Sequence, residues 1–123
     1  MEIEHEFLKD LNVIKVKHKV VFSGLKHGDL MNIQIQELSE KYTCDRFLLD
    51  AGEMKLDHAF IDTYYLCEHF EELGFTKNYR IAFLYYQDED LYLFLEIVLQ
   101  NRGYAVRFFK HEPEALEWLT NGW

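Results

Sequence analysis

The C-terminal part of the chain constrains the fold most, because two strand patterns alternate there with two helix patterns. Residues 80–86 and 104–109 are rich in apolar and aromatic side chains and are typical of buried strands. A helix is predicted over 88–102, before Gly103, and a shorter one over 112–119. The core stripe expected for the first of these helices is Leu91, Phe94, Leu95, Val98 and Leu99. Strand, helix, strand and helix in this order predict a parallel α/β sheet.

The N-terminal part adds a hairpin and further α/β units. Residues 2–9 alternate between glutamates and Ile3, His5 and Phe7, which predicts an edge strand with a charged outer face. A turn at 10–12 and a strand over 13–22 would complete an antiparallel pair. Helices are predicted over 29–42 and 57–73, with a strand over 45–50 between them. The fold class is therefore α/β, with a mixed, largely parallel five-stranded sheet and about four helices.

Composition favours one compact domain over residues 1–123. Hydrophobic residues make up 49% of the chain, and no linker rich in proline or glycine divides it. No stretch reaches the roughly 20 apolar residues of a membrane span. The N-terminus is acidic and lacks the features of a signal peptide, so we expect a cytoplasmic protein. The formal charge of −9 argues against nucleic acid and anionic membranes as partners.

Motifs for catalysis, nucleotides and metals are missing from the sequence. It contains no GxSxG, GxGxxG, P-loop or HExxH pattern. His58 and His69 share a helical stripe but would lie about 16 Å apart along the axis, too far to bind one ion. Cys44 and Cys67 are expected to be free thiols. We therefore expect no metal, no cofactor and no catalytic residue.

Asp50 is the polar residue that its position singles out, because it ends a predicted strand. Ligands of α/β proteins bind outside the carboxyl ends of parallel strands. Asp50 and Lys110 could imitate the acceptor aspartate and the lysine of phospho-receiver domains. Those domains also need an acidic pair after the first strand, and the segment after Phe22 is Ser-Gly-Leu-Lys-His. A receiver is therefore not expected.

The element order resembles the STAS family, the domain of sulfate transporters and anti-sigma-factor antagonists, in its SpoIIAA-like branch of small bacterial proteins. Three stretches carry the resemblance, and they are residues 46–50, 80–84 and 101–119, the last ending in an Ala-x-x-Trp-Leu helix. The resemblance implies a mixed sheet, no cofactor and action through protein or ligand contacts. Family members that act as switches carry a phosphorylated serine where this chain has His58. The phosphoswitch is therefore not expected.

Three functional hypotheses follow from the sequence. The first is a non-enzymatic regulatory or binding domain, with a protein partner or a small amphipathic ligand held near Asp50, Asp57 and His58. The alternative is a small enzyme in which those three residues converge and His58 serves as a base. The third is a structural role through the aromatic residues, which make up 16% of the chain and would form a homodimer interface.

Overall fold

The computed structural model describes residues 3–18, 28–50, 76–86 and 89–121. Five strands and three helices lie within these ranges. In chain order they are β1 (Ile3–Leu8), β2 (Val13–His18), α1 (Gly28–Tyr42), β3 (Arg46–Asp50), β4 (Arg80–Leu84), α2 (Glu89–Asn101), β5 (Ala105–Phe109) and α3 (Glu112–Thr120). The predicted helix over 57–73 and the end of the predicted strand over 13–22 lie outside the described residues.

The N-terminal hairpin is present as the sequence predicts. β1 and β2 are antiparallel, with Leu8 opposite Val13. The turn closes through Leu11 N–H, which donates to Leu8 O at 3.1 Å. Asn12 takes the left-handed conformation, with φ of 55°, which asparagine tolerates better than most residues. The hairpin makes the sheet mixed.

The five strands follow one another across the sheet in the order β1-β2-β3-β4-β5. The three pairs from β2 to β5 are parallel. Right-handed crossovers that step in one direction place their helices on one face of the sheet. α1 and α2 accordingly pack on the same face, which we call the two-helix face. α3 follows the last strand and packs on the opposite face, which we call the α3 face.

The two-helix face holds the larger core. Ile14 and Val16 of β2 are fully buried there, and α1 covers them with Ile35 and Leu38. Further along the sheet, α2 packs on the aromatic side chains of β4 and β5. The buried members at that end are Phe83, Tyr85, Tyr92, Leu95, Leu99, Val106 and Phe108, and the rings of Phe83 and Phe108 stack at 4.7 Å.

The α3 face has a smaller core centred on β3 and β4. Leu48, Ala82 and Leu84 point to this face, and Ala115 and Leu119 of α3 cover them. Arg80 fixes the end of the helix, since its guanidinium donates to Trp118 O at 2.8 Å and lies 4.0 Å from the Trp118 ring centre. Ala115 and Leu119 are both fully buried in this core.

The prediction that Phe94 of α2 belongs to the core is wrong. Phe94 is 40% exposed, whereas Leu95 and Leu99 are buried as predicted. The inward place is taken by Tyr92, which lies three and seven residues before Leu95 and Leu99 on one helical stripe. Phe94, two residues from Tyr92, therefore points to the far side of the helix.

Candidate functional site

The structure describes only one of the three residues predicted for a binding site. Asp50 is the last residue of β3 and is partly buried. Asp57 and His58, with the loop that precedes them, lie outside the described residues. Whether the three side chains converge therefore stays a prediction.

Asp50 belongs to a group of polar side chains near the carboxyl ends of the parallel strands, and Lys15 joins this group from the middle of β2. Lys17 of β2 is paired with Asp50, and Lys15 is paired with Leu48 on the α3 face. Because side chains alternate along a strand, Lys15 and Asp50 point to that same face. Tyr86 follows the end of β4, and Glu112 is the first residue of α3 after β5. We call these four residues, Lys15, Asp50, Tyr86 and Glu112, the carboxyl-end cluster.

Two short contacts organise the carboxyl-end cluster. Lys15 Nζ lies 2.6 Å from Glu112 Oε1, which ties the hairpin to the start of α3. Tyr86 donates its phenolic hydrogen to Asp50 Oδ2 at 3.4 Å, a long hydrogen bond. The side chains of Lys15 and Glu112 are 32% and 39% exposed, and Tyr86 is 61% exposed. The cluster is therefore a surface that water reaches, held in place by the sheet beneath it.

The surroundings keep both donors of the cluster protonated. The hydrogen bond to Glu112 is the largest effect on the pKa of Lys15 and raises it, whereas desolvation lowers it. The charges of Glu112, Glu6 and Asp50 raise it further. Desolvation raises the pKa of Tyr86, and the charge of Asp50 adds to it. At neutral pH the cluster thus presents an ammonium group and a phenol beside carboxylate oxygens. In these protonation states both groups are hydrogen-bond donors.

Cys44 lies at the opposite end of β3 and takes no part in the carboxyl-end cluster. Its side chain is buried, and its thiol donates to Asn12 O at 3.1 Å. Burial raises the pKa of the Cys44 thiol, which disfavours the reactive thiolate. The prediction of a free, buried thiol is confirmed for Cys44, while Cys67 lies outside the described residues.

Within the described ranges, no three or more His, Cys, Asp or Glu side chains come together in a way that could hold a metal ion. The helices in these ranges are also too short or too polar to cross a membrane.

No protein-family model matches the sequence, and no curated protein matches it.

Of the four residues in the carboxyl-end cluster, the sequence singles out only Asp50. Lys15 and Lys17 alternate with valine and isoleucine, which indicates a strand with one solvent-exposed face. Nothing in the sequence relates Lys15 to Glu112. The strand register and the return of α3 across the sheet bring them together. Tyr86 was predicted as part of the strand over 80–86, whereas β4 ends at Leu84 and leaves Tyr86 on the surface.

Proposed function

We propose that this chain is a cytoplasmic, non-enzymatic binding domain of the STAS type, which contacts a protein partner through the carboxyl-end cluster. The exposed pairing of two donors, Lys15 and Tyr86, with the carboxylates of Asp50 and Glu112 is the observation that carries the proposal. It lies at the carboxyl ends of parallel strands, the edge where α/β domains place their binding sites.

The order of the described elements supports the family part of the proposal. A β-hairpin opens the chain, parallel strands follow in sequence, and a C-terminal helix crosses the opposite face. The STAS resemblance implies this mixed arrangement. A phospho-receiver has the strand order 2-1-3-4-5 and no such hairpin, so the observed order favours the STAS reading over the receiver.

The chemistry of the cluster favours binding over catalysis. Enzymes stabilise charged transition states in sites that exclude water. Tyr86 is 61% exposed, and Lys15 and Glu112 neutralise one another in a contact that solvent reaches. Such a surface suits a protein partner with polar groups of its own, because paired charges set orientation and choice of partner more than they add affinity.

A charge reversal at Asp50 tests the proposal, and the same strand provides a matched control. Asp50→Lys places a cation beside Lys15 and removes the acceptor of Tyr86. Asp45→Lys makes the same change at an exposed position before the other end of β3. Affinity capture with both variants and with the unaltered chain should recover a partner with the chain and with Asp45→Lys, and lose it with Asp50→Lys. Equal recovery by all three proteins would remove the cluster from the binding surface.

The enzymatic alternative has its own test. If Asp50, Asp57 and His58 form an active site, the purified chain should turn over a substrate, and Asp50→Asn should abolish that turnover while leaving the melting temperature unchanged. Such a result would contradict the non-enzymatic proposal, whatever partner the chain also binds.

A further inference from the structure

The two edge strands of the sheet differ in how their outer backbone groups are covered, and side chains of α2 bond to those of β5. Phe108 N–H points away from β4 and donates to Glu96 Oε1 at 2.6 Å. Val106 O points the same way and accepts a hydrogen bond from Gln100 Nε2 at 2.9 Å. Glu96 and Gln100 stand one turn apart on α2, so one helix face satisfies two of the outer backbone groups of the strand. A further strand could pair with β5 only by displacing both side chains.

In the described part of the chain, no strand pairs with the outer side of β1. β1 pairs with β2 on its inner side and ends the sheet on its outer side. Its side chains at Glu4, His5 and Glu6 are exposed. With six residues, it is as long as an average strand and can pair with an added one.

A groove runs beside β1 on each face of the sheet. On the two-helix face, a cavity of about 330 Å³ is lined by His5 together with Gln34, Glu37, Leu38 and Lys41 of α1. On the α3 face, a shallower cavity of about 230 Å³ is lined by Glu4, His5, Glu6, Lys15 and Lys17. Successive side chains of an added strand point to opposite faces, so they would enter the two grooves in turn.

The groove beside α1 contains a buried acceptor in need of a donor. Gln34 Oε1 is buried, and no hydrogen-bond partner for it is found within the described ranges. Buried carbonyl oxygens are normally hydrogen-bonded, and leaving one unpaired is costly. Glu37 follows Gln34 by one turn of α1, lines the same groove and supplies a carboxylate. An N–H group of a guest residue that enters this groove would satisfy Gln34 Oε1, whereas the guest residues opposite Glu4 and Glu6 would enter the other groove.

The glutamates of β1 decide whether the added strand is a second copy of β1 or a segment of a different protein. On the inner side of β1, Glu4 is paired with Lys17 and Glu6 with Lys15. An antiparallel pairing of β1 with its own copy, centred anywhere from Glu4 to Glu6, would set a glutamate against a glutamate, which destabilises a sheet. A strand with lysine or arginine opposite Glu4 and Glu6 would instead repeat on the outer side the pairing already present on the inner side.

We propose that the outer edge of β1 binds an extended, basic segment of a partner protein by strand addition, with alternate side chains in the grooves on the two faces. This surface shares Lys15 with the carboxyl-end cluster, but it binds its partner through backbone hydrogen bonds of an edge strand. It requires neither STAS membership nor the partner proposed for that cluster.

Three labelled peptides test the inference by fluorescence anisotropy with the full chain. The first alternates lysine with valine (Thr-Lys-Val-Lys-Val-Thr), the second replaces lysine by glutamate, and the third replaces valine by proline. The lysine–valine peptide should bind at least about tenfold more tightly than either of the others, because the second loses the charge pairing and the third loses backbone hydrogen bonds. It should also slow amide hydrogen exchange in β1 and leave β5 unchanged.

A charge swap provides the decisive variant. The double variant Glu4→Lys with Glu6→Lys should lose about tenfold in affinity for the lysine–valine peptide and gain affinity for the glutamate–valine peptide. Glu117→Lys, an exposed change on α3, should alter neither. Equal binding of the proline peptide, an unchanged preference in the double variant, or a homodimer that protects β1 would each overturn the proposal.

Discussion

Truncating Leu119 tests whether α3 completes the core on its face of the sheet. Leu119 is fully buried, and its cluster includes Val13, Leu48 and Leu84. Leu119→Ala removes apolar groups worth about 2.4 kcal/mol, at about 0.8 kcal/mol per buried methylene. The cavity left behind raises the expected loss of unfolding free energy to about 3 kcal/mol.

Urea unfolding followed by circular dichroism measures this loss. With an m-value of about 1.5 kcal/mol/M, the midpoint should fall by about 2 M. Leu93→Ala is the matched control, since Leu93 is 37% exposed on α2, and it should cost less than about 1 kcal/mol. Equal midpoints for the two variants would refute the placement of Leu119 in the core.

Three further substitutions test local features of the fold. Thr43 has a φ of 48° at the end of α1, which strains a β-branched residue, so Thr43→Gly should raise stability by about 0.5–1 kcal/mol in thermal melts, and a loss would contradict this reading. Lys15→Met should cost less than about 1 kcal/mol, because the Lys15–Glu112 pair is partly exposed. Since the pKa of Lys15 is raised in the folded chain, the stability that the ion pair contributes is fully present below the unfolded pKa of about 10.4 and is lost as the pH rises through the folded pKa. In urea melts, a stability difference between the variant and the unaltered chain that persists in stronger alkali would contradict this. Glu96→Ala should lower the free energy of unfolding by about 1 kcal/mol and speed hydrogen exchange at the Phe108 amide. Unchanged exchange there would show that Glu96 does not protect the outer edge of β5.

Local patterns in the sequence were sufficient for most of the described elements. The hairpin follows from two alternating segments around Asn12, and α2 follows from a helical stripe that ends before Gly103. The α/β class and the mixed sheet are therefore confirmed. Phe94 was misplaced because two overlapping apolar stripes run along α2, and only packing against β4 and β5 shows that the stripe through Tyr92 and Leu95 faces inward.

The candidate site was much less predictable than the fold. Asp50 could be singled out as a candidate because the end of a strand is a local feature. The contact of Lys15 with Glu112 depends on strand register and on the face that α3 crosses, and neither is written in a local pattern. Asp57 and His58 were chosen through the family resemblance, and their part in the site stays a prediction.

The affinity of the captured partner for two charge-reversal variants tests the central claim most directly. Isothermal titration calorimetry would compare the unaltered chain with Asp50→Lys and Asp45→Lys. If the carboxyl-end cluster binds the partner, Asp50→Lys should weaken the affinity at least about tenfold, as expected for a residue central to an interface, and Asp45→Lys should stay within about twofold. Equal dissociation constants for all three proteins would contradict the account.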